Sequence, residues 1–163
     1  YSGKAIPPAV LDRMKEALRF APSACNYQPW KFILVSDAAL RRELAELSHR
    51  QRWIAEAPWV VVGVAFPAEA YKRMGGSGNS AEIDVTIALD HLTLAAAAEG
   101  LGTCWIGAFD APRVKELLRV PADAKVVALT PLGYPSDPHA LRPVDEARRK
   151  SAAEVFVSER FDE

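Results

Sequence analysis

The side chains best suited to chemistry are concentrated between Pro22 and Trp30, where the sequence reads PSACNYQPW. Serine, asparagine and glutamine supply short hydrogen-bonding groups, two prolines stiffen the backbone, and Tyr27 and Trp30 offer flat apolar faces. The stretch follows an amphipathic helical pattern and precedes an apolar strand pattern, so we predict a polar loop between two core elements. A planar ligand with polar edges suits such a loop, and so does an ordinary helix-to-strand turn.

The other reactive side chains do not form a catalytic set. His49, His91 and His139 are scattered, and neither CxxC nor HExxH spacing occurs, so no metal site is predicted. Cys25 is a conceivable thiol nucleophile, although a cysteine in a tight loop is usually a small packed residue. Cys104 is predicted to lie inert in an apolar strand. The Gly-x-Ser-x-Gly and GxGxxG motifs are both missing.

The most cationic run is Arg148-Arg149-Lys150. Three charges in a row usually form a solvated turn, whereas the functional alternative is a phosphate site, because arginine presents paired N–H donors. Together, this run and the loop at 22–30 would suit the two ends of a phosphorylated, ring-bearing ligand: the run suits the phosphate and the loop suits the ring.

Composition is that of a soluble globular domain, with 163 residues, 50% of them hydrophobic and 25% charged. The net charge of -1 gives no electrostatic case for nucleic acid or an anionic membrane surface. No apolar run reaches the length of a membrane span, and no signal peptide is visible. With only two cysteines, we expect a reduced, cytoplasmic protein.

Helical and strand patterns are interleaved without an internal repeat, which predicts one mixed α+β layered domain over residues 1–163. The predicted elements are a helix between Pro8 and Pro22, a strand over 31–35, a helix after an Asp37 N-cap, a central strand over 59–66, the longest helix over about 81–99 with Gly100 after it, a short buried strand over 103–106, a helix over roughly 111–119 after an Asp110 N-cap, and a strand over 125–129.

Three segments carry further expectations. The helix at 81–99 has almost no polar face, so it should lie through the core or in a subunit interface. Asp84 and His91 on this helix are expected to be polar anchors at an interface. Residues 67–80 have no packing signal and are either a solvated connector or a lid. The polar arm after residue 136 cannot fold on its own and is expected to pack on a partner subunit.

Four blocks of sequence resemble the flavin-dependent nitroreductase family. Residues 22–32 look like its P-S-x-x-N-x-Q-P-W-x-F loop, and residues 100–107 (GLGTCWIG) resemble its second signature. Residues 131–135 (PLGYP) match a third, and residues 149–161 look like the C-terminal segment. The blocks follow the family order across nearly the whole chain.

The resemblance implies a nitroreductase-like fold, with a central, mostly antiparallel sheet flanked by helices. It also implies a homodimer that exchanges the C-terminal arm, residues 136–163, and that binds FMN at the subunit interface. By position, the cofactor-binding residues are Pro22, Ser23, Ala24, Asn26, Gln28, Gln51, Ile106, Gly107, Ala108, Arg148 and Arg149. The loop residues would border the ring or the ribityl chain, the segment at 106–108 would place a backbone N–H near flavin N5, and Arg149 would hold the phosphate with Arg148 as a second.

The implied activity is an FMN-dependent NAD(P)H oxidoreductase that reduces nitroaromatic, quinone or related planar acceptors. Hydride would pass from NADH or NADPH to flavin N5, and the acceptor would then take the same place, in a ping-pong cycle that needs no catalytic side chain. A reductive dehalogenase, a flavin-consuming enzyme and a flavin-binding protein without turnover are the alternatives. A purely structural dimerisation module is disfavoured by the polar loop.

The chain departs from the family pattern at its first residue. Family members usually carry an Arg-x-Ser-x-Arg-like run, which clamps the FMN phosphate, just before an aromatic residue. Tyr1 matches that aromatic residue, so either the clamp lies immediately upstream of it in a longer chain, or the protein binds FMN more weakly than its relatives. We favour the longer chain, because the rest of the site is present.

Overall fold

The computed structural model describes residues 1–76, 78–137, 140 and 144–161, so His139 lies outside the described residues. Over these residues a four-stranded antiparallel sheet forms the centre of the chain, in the strand order β1-β2-β4-β3. The strands are β1 (Trp30–Val35), β2 (Trp59–Ala65), β3 (Gly102–Thr103) and β4 (Lys125–Gly133).

Helices cover both faces of this sheet. They are α1 (Pro8–Arg19), α2 (Ala38–Leu47), α3 (Ala81–Ala98) and α4 (Ala111–Leu117). A short further helix, α5 (Ala152–Val155), is fully exposed and packs in neither core. One apolar core lies between the sheet and the pair α1 and α3, and a second core lies between the sheet and the pair α2 and α4. The predicted α+β class is confirmed, and the interior position of β2 agrees with its apolar run.

Strand β2 contributes side chains to both cores because its side chains alternate between the two faces of the sheet. Val61 packs in the core under α3, whereas Val60 and Val62 pack in the core under α2. Gly63 lies where α3 approaches the sheet most closely. A Cβ atom at this position would come within 2.7 Å of Val85 Cγ1, so a glycine is required for the helix to sit at this depth.

Short-range signals in the sequence place the helix ends. The carboxylate of Asp37 accepts from the backbone N–H groups of Ala39 and Leu40 at 2.9 and 2.8 Å, which caps α2. Asp110 caps α4 through Arg113 N at 3.2 Å. Gly100 follows α3 with φ of 70°. All three predicted helix ends are confirmed.

The predicted buried strand over 103–106 is wrong in part. Only Gly102–Thr103 pairs with β4 as a strand, and Ile106 makes a single bridge to Leu129. The ladder is interrupted because the Cys104 N–H donates to Thr130 Oγ1 at 3.2 Å instead of to a backbone carbonyl. Cys104 is therefore exposed rather than held in a strand, although partial burial of its thiol raises the pKa of that group.

The last strand extends beyond its predicted end at Leu129. Strand β4 continues through Pro131 to Gly133, because Thr103 on one side and Trp59 on the other both pair with Leu132.

Two apolar surfaces are not covered by the chain itself. Helix α3 buries one side in the core but exposes 47% of Ile83 and 65% of Leu94 on the other. The described residues after 144 are all exposed, including 75% of Phe156 and 90% of Phe161. Where such side chains form a contiguous patch, they mark an interaction surface.

Within the described residues, none of the helices has the length and hydropathy needed to cross a bilayer.

Candidate functional site

The loop between α1 and β1 holds an unusual backbone. Cys25, Asn26 and Gln28 have φ of 53°, 56° and 52°, in the left-handed region that non-glycine residues seldom adopt. Each such residue costs on the order of 1 kcal/mol, and strain of this kind concentrates at functional sites. The loop persists because Ser23 Oγ accepts from the Gln28 N–H at 2.9 Å, and Gln28 Nε2 donates to the Asn26 carbonyl at 3.1 Å.

Asp84 ties this loop to the first turn of α3. Its Oδ1 accepts from the Ala24 N–H at 3.0 Å, and its Oδ2 accepts from Ser80 Oγ at 2.6 Å. Asp84 is therefore a polar anchor inside its own chain, whereas the prediction placed it at an interface, and its partner, 60 residues away in the chain, was not visible in the sequence. Pro22, Asn26 and the Gln28 side chain stay exposed around this anchor.

The segment that follows Ile106 presents bare backbone. Ile106 and Leu129 exchange two backbone hydrogen bonds of 2.9 and 3.0 Å, which fix the start of the segment against β4. Gly107 and Ala108 are exposed, and their N–H groups have no acceptor within the described part of the chain. Two adjacent free donors on a held backbone suit a ligand with acceptor atoms along one edge.

Gln51 belongs to the turn that follows α2, and this turn is joined to the residues that follow the segment. The Asp110 N–H donates to the Leu47 carbonyl at 2.9 Å, which joins the end of the segment to the turn that carries Gln51. Gln51 is half-buried, and its Nε2 donates to the Ser48 carbonyl at 3.0 Å. The structure therefore links the turn that carries Gln51 to the end of the segment, although no hydrogen bond within the described residues joins Gln51 to residues 106–108 directly.

The loop at 22–28 is remote from that group. It leads into β1, whereas residues 106–108 run along the β3 side, at the opposite edge of the sheet. Three strand spacings separate these edges, which is about 14 Å. Helices cover both faces between them. One chain therefore does not bring the two predicted halves of the site together.

Arg148 and Arg149 stand apart from both halves. Arg148 ends a 3₁₀ turn that begins at Glu146, and both arginines are exposed. In the parts of the chain that the structure covers, neither guanidinium has an ion-pair or hydrogen-bond partner.

A cleft of about 1360 Å³ opens between α2, the turn that follows it and the start of α4. None of the predicted cofactor-binding residues lines it, although its lining includes the direct neighbours of Gln51 and of Ala108. Its charged side chains are of both signs, and some of them already have partners. Arg52 pairs with Glu46 at 3.0 Å, and Arg41 donates to backbone carbonyls. The cleft alone therefore indicates no particular ligand.

Residues 1–134 match the Nitroreductase family. This match extends over most of the chain. The chain belongs to the nitroreductase family. The resemblance of the sequence blocks up to residue 134 is thereby confirmed, while Arg148 and Arg149 lie beyond the matched residues.

Individual members of the nitroreductase family are similar over most of their length. An NADH dehydrogenase of Thermus thermophilus is 31% identical over 166 residues, covering 84% of this chain and 81% of that protein. A 5,6-dimethylbenzimidazole synthase of Rhodospirillum rubrum is 30% identical over 161 residues, covering 84% and 75%. The crystal structure of a nitroreductase family protein from Clostridium novyi has a TM-score of 0.75 and 35% identity, covering 84% of this chain and 78% of that one.

Proposed function

We propose that this nitroreductase-family oxidoreductase binds FMN and carries electrons from NADH or NADPH to a small planar acceptor, such as a nitroaromatic compound or a quinone. The observation that carries the proposal is the pair of N–H donors on Gly107 and Ala108, which have no acceptor within the described residues. A relative at 31% identity is an NADH dehydrogenase, which supports a reduced nicotinamide as the electron donor.

The residues present fit a flavin. Gly107 and Ala108 offer donors to the polar edge of a ring, and their exposed backbone leaves room for a flat ligand to lie against them. When bound, FMN supplies the redox chemistry, accepting hydride from a nicotinamide and returning electrons to an acceptor. The two N–H groups then stabilise negative charge at the ring edge, because they are already fixed in place by the Ile106 bridge.

A second copy of the chain completes the proposed site. The loop at 22–28 and the segment at 106–108 lie at opposite sheet edges of one chain, so both can border one ring only if they come from different subunits. In this arrangement Pro22, Ser23, Ala24, Asn26 and Gln28 face the cofactor of the partner. The exposed apolar side of α3 supports the same homodimer.

The C-terminal arm, residues 136–163, is proposed to pack on the partner subunit. Its described part after residue 144 exposes Phe156 and Phe161, which would be covered there. Arg149, with Arg148 as a second, is proposed to hold the phosphate of FMN, because its guanidinium has no partner within the described residues.

A visible absorption spectrum of the purified protein tests the cofactor. After incubation with FMN and gel filtration, we expect a flavin spectrum that NADH or NADPH bleaches and that an added quinone restores. Protein that stays colourless after this incubation would refute the proposal.

Turnover distinguishes the alternatives. Continuous NADH or NADPH oxidation in the presence of a quinone would exclude a flavin-binding protein without turnover. The similarity to a 5,6-dimethylbenzimidazole synthase favours one second candidate, in which the flavin itself is consumed. Chromatography of the flavin after many turnovers tests it: an oxidoreductase returns intact FMN, whereas a flavin-consuming enzyme does not.

A further inference from the structure

Asp84 is the one charged side chain among the buried residues of the described chain, with 2% of its surface exposed. Its partners are neutral, namely the Ser80 hydroxyl and the Ala24 N–H, and no described lysine or arginine pairs with it. Burying a carboxylate without a cation is unfavourable unless hydrogen bonds and local dipoles compensate. Asp84 lies in the first turn of α3, where the helix dipole stabilises negative charge.

The hydrogen bond between Ala24 and Asp84 lies next to the strained part of the loop. Apart from the bond that the neighbouring Trp30 N–H donates to the Gln28 carbonyl, the bond from Ala24 to Asp84 is the only hydrogen bond, in the described chain, that joins residues 22–28 to the rest of the protein. The residues with positive φ begin directly after Ala24, at Cys25. A strained backbone persists only where its surroundings hold it, and here the hydrogen bond to a distant part of the chain comes from one buried carboxylate.

We propose that Asp84, braced by Ser80, is a positioning residue that fixes the conformation of the loop at 22–28 and thereby sets its affinity for FMN. The identity of the ligand rests on the proposed function, whereas the anchoring of the loop rests on the contacts alone. Asp84 acts through the backbone of Ala24 and does not itself touch the ligand.

The chemistry of the contact predicts how substitutions at this position differ. Asp84→Ala leaves the Ser80 hydroxyl and the Ala24 N–H without acceptors, which forfeits a charge-assisted bond. Asp84→Asn keeps an oxygen for Ala24 and can turn its amide N–H toward Ser80 Oγ. Ser80→Ala removes the brace and leaves the bond to Ala24 in place.

Two measurements on the full-length chain test this ordering. Hydrogen exchange followed by mass spectrometry reports the loop directly in the absence of FMN, and fluorescence titration reports the Kd for FMN. For Asp84→Ala we expect faster exchange in the peptide covering 22–28 and a Kd raised about tenfold or more. For Asp84→Asn we expect changes of about threefold or less, and for Ser80→Ala a smaller but measurable rise in loop exchange and in Kd, of about two- to threefold.

Leu44→Ala is the matched control, since Leu44 is fully buried in the opposite core and does not contact the loop. It should lower the Tm without changing the exchange of residues 22–28 or the Kd for FMN. The inference is overturned if Leu44→Ala loosens the loop as much as Asp84→Ala, or if Asp84→Ala leaves both exchange and Kd at wild-type values.

The remaining outcomes are equally informative. If Asp84→Ala does not fold, Ser80→Ala replaces it, and unchanged exchange in that variant counts against the anchor. If the wild-type protein binds no FMN, the proposed function fails, while faster loop exchange in Asp84→Ala still supports the anchoring of the loop.

Discussion

A site shared between two subunits makes a quantitative prediction about mixed dimers. Asn26 belongs to the loop at the β1 edge and Ala108 to the segment at the β3 edge, and both are exposed. Asn26→Trp and Ala108→Trp should therefore each block the site by bulk while the core stays intact. Tryptophan at position 26 adds on the order of 1 kcal/mol of backbone strain, which the fold can tolerate.

Each homodimer of a single variant should be nearly inactive, since both of its sites carry a blocking residue. A dimer that combines one Asn26→Trp chain with one Ala108→Trp chain places both lesions in one site and leaves the other intact. Two-fold symmetry then gives about half of the wild-type activity per dimer. Differently tagged chains, purified over both tags in turn, supply this mixed dimer for a quinone-coupled NADH or NADPH oxidation assay.

The matched control places both substitutions in one chain and pairs that chain with a wild-type chain. A shared site predicts almost no activity for this dimer, because each of its two sites receives one lesion. If each chain formed its own site, the results would be reversed, with about half activity in the control and almost none in the first mixed dimer. That reversed pattern would refute the reasoning from the sheet edges.

Four further predictions concern the fold and its assembly. Gly63→Ala places a Cβ 2.7 Å from Val85 Cγ1, so chemical unfolding should show that the free energy of unfolding falls by about 1–3 kcal/mol. Adding Val85→Ala should restore part of this loss, and strictly additive effects of the two substitutions would contradict the clash. Asp37→Ala should cost about 1 kcal/mol of unfolding free energy and Asp37→Asn much less, and equal losses would exclude the cap. The hydrogen bond from Arg13 lowers the pKa of Glu99, so its stabilising effect is present above the ordinary pKa of 4.5 and is lost as pH falls through the lower folded value. Glu99→Gln should therefore reduce the acid sensitivity of the Tm, and an unchanged pH profile would count against the pair. A variant that stops after residue 143 should remain folded but elute as a monomer in gel filtration, whereas a stable dimer would argue against the arm as a subunit contact.

Local signals made much of the fold predictable. The apolar run of β2, the caps at Asp37 and Asp110 and the positive φ at Gly100 are determined by residues close in the chain, so the sequence pattern identified them. The strand predicted over 103–106 failed for a non-local reason. The hydroxyl of Thr130 captures the N–H of Cys104, and no pattern within the segment itself shows this.

In the candidate site, too, some features are set by local residues and others by tertiary contacts. The polar composition of the loop is visible in the sequence, but its three positive φ values and the bond to Asp84 arise from tertiary contacts. The link between the turn of Gln51 and the end of the segment at 106–108 depends on the bond between Asp110 and Leu47, which also joins distant parts of the chain. The separation of the two halves follows from strand order, which composition and spacing do not specify.

The position of helix α3 connects the two cofactor sites of the proposed homodimer. It holds the loop through its first turn and leads, past Gly100, into the strand that precedes residues 106–108. Its 18 residues form a rod of about 27 Å, and Gly63 seats that rod directly against the sheet. In the proposed dimer, the two ends of one rod serve two different cofactors. A tilt of α3 that opens one site must therefore displace the other, so we expect the two sites to respond to ligands as coupled partners.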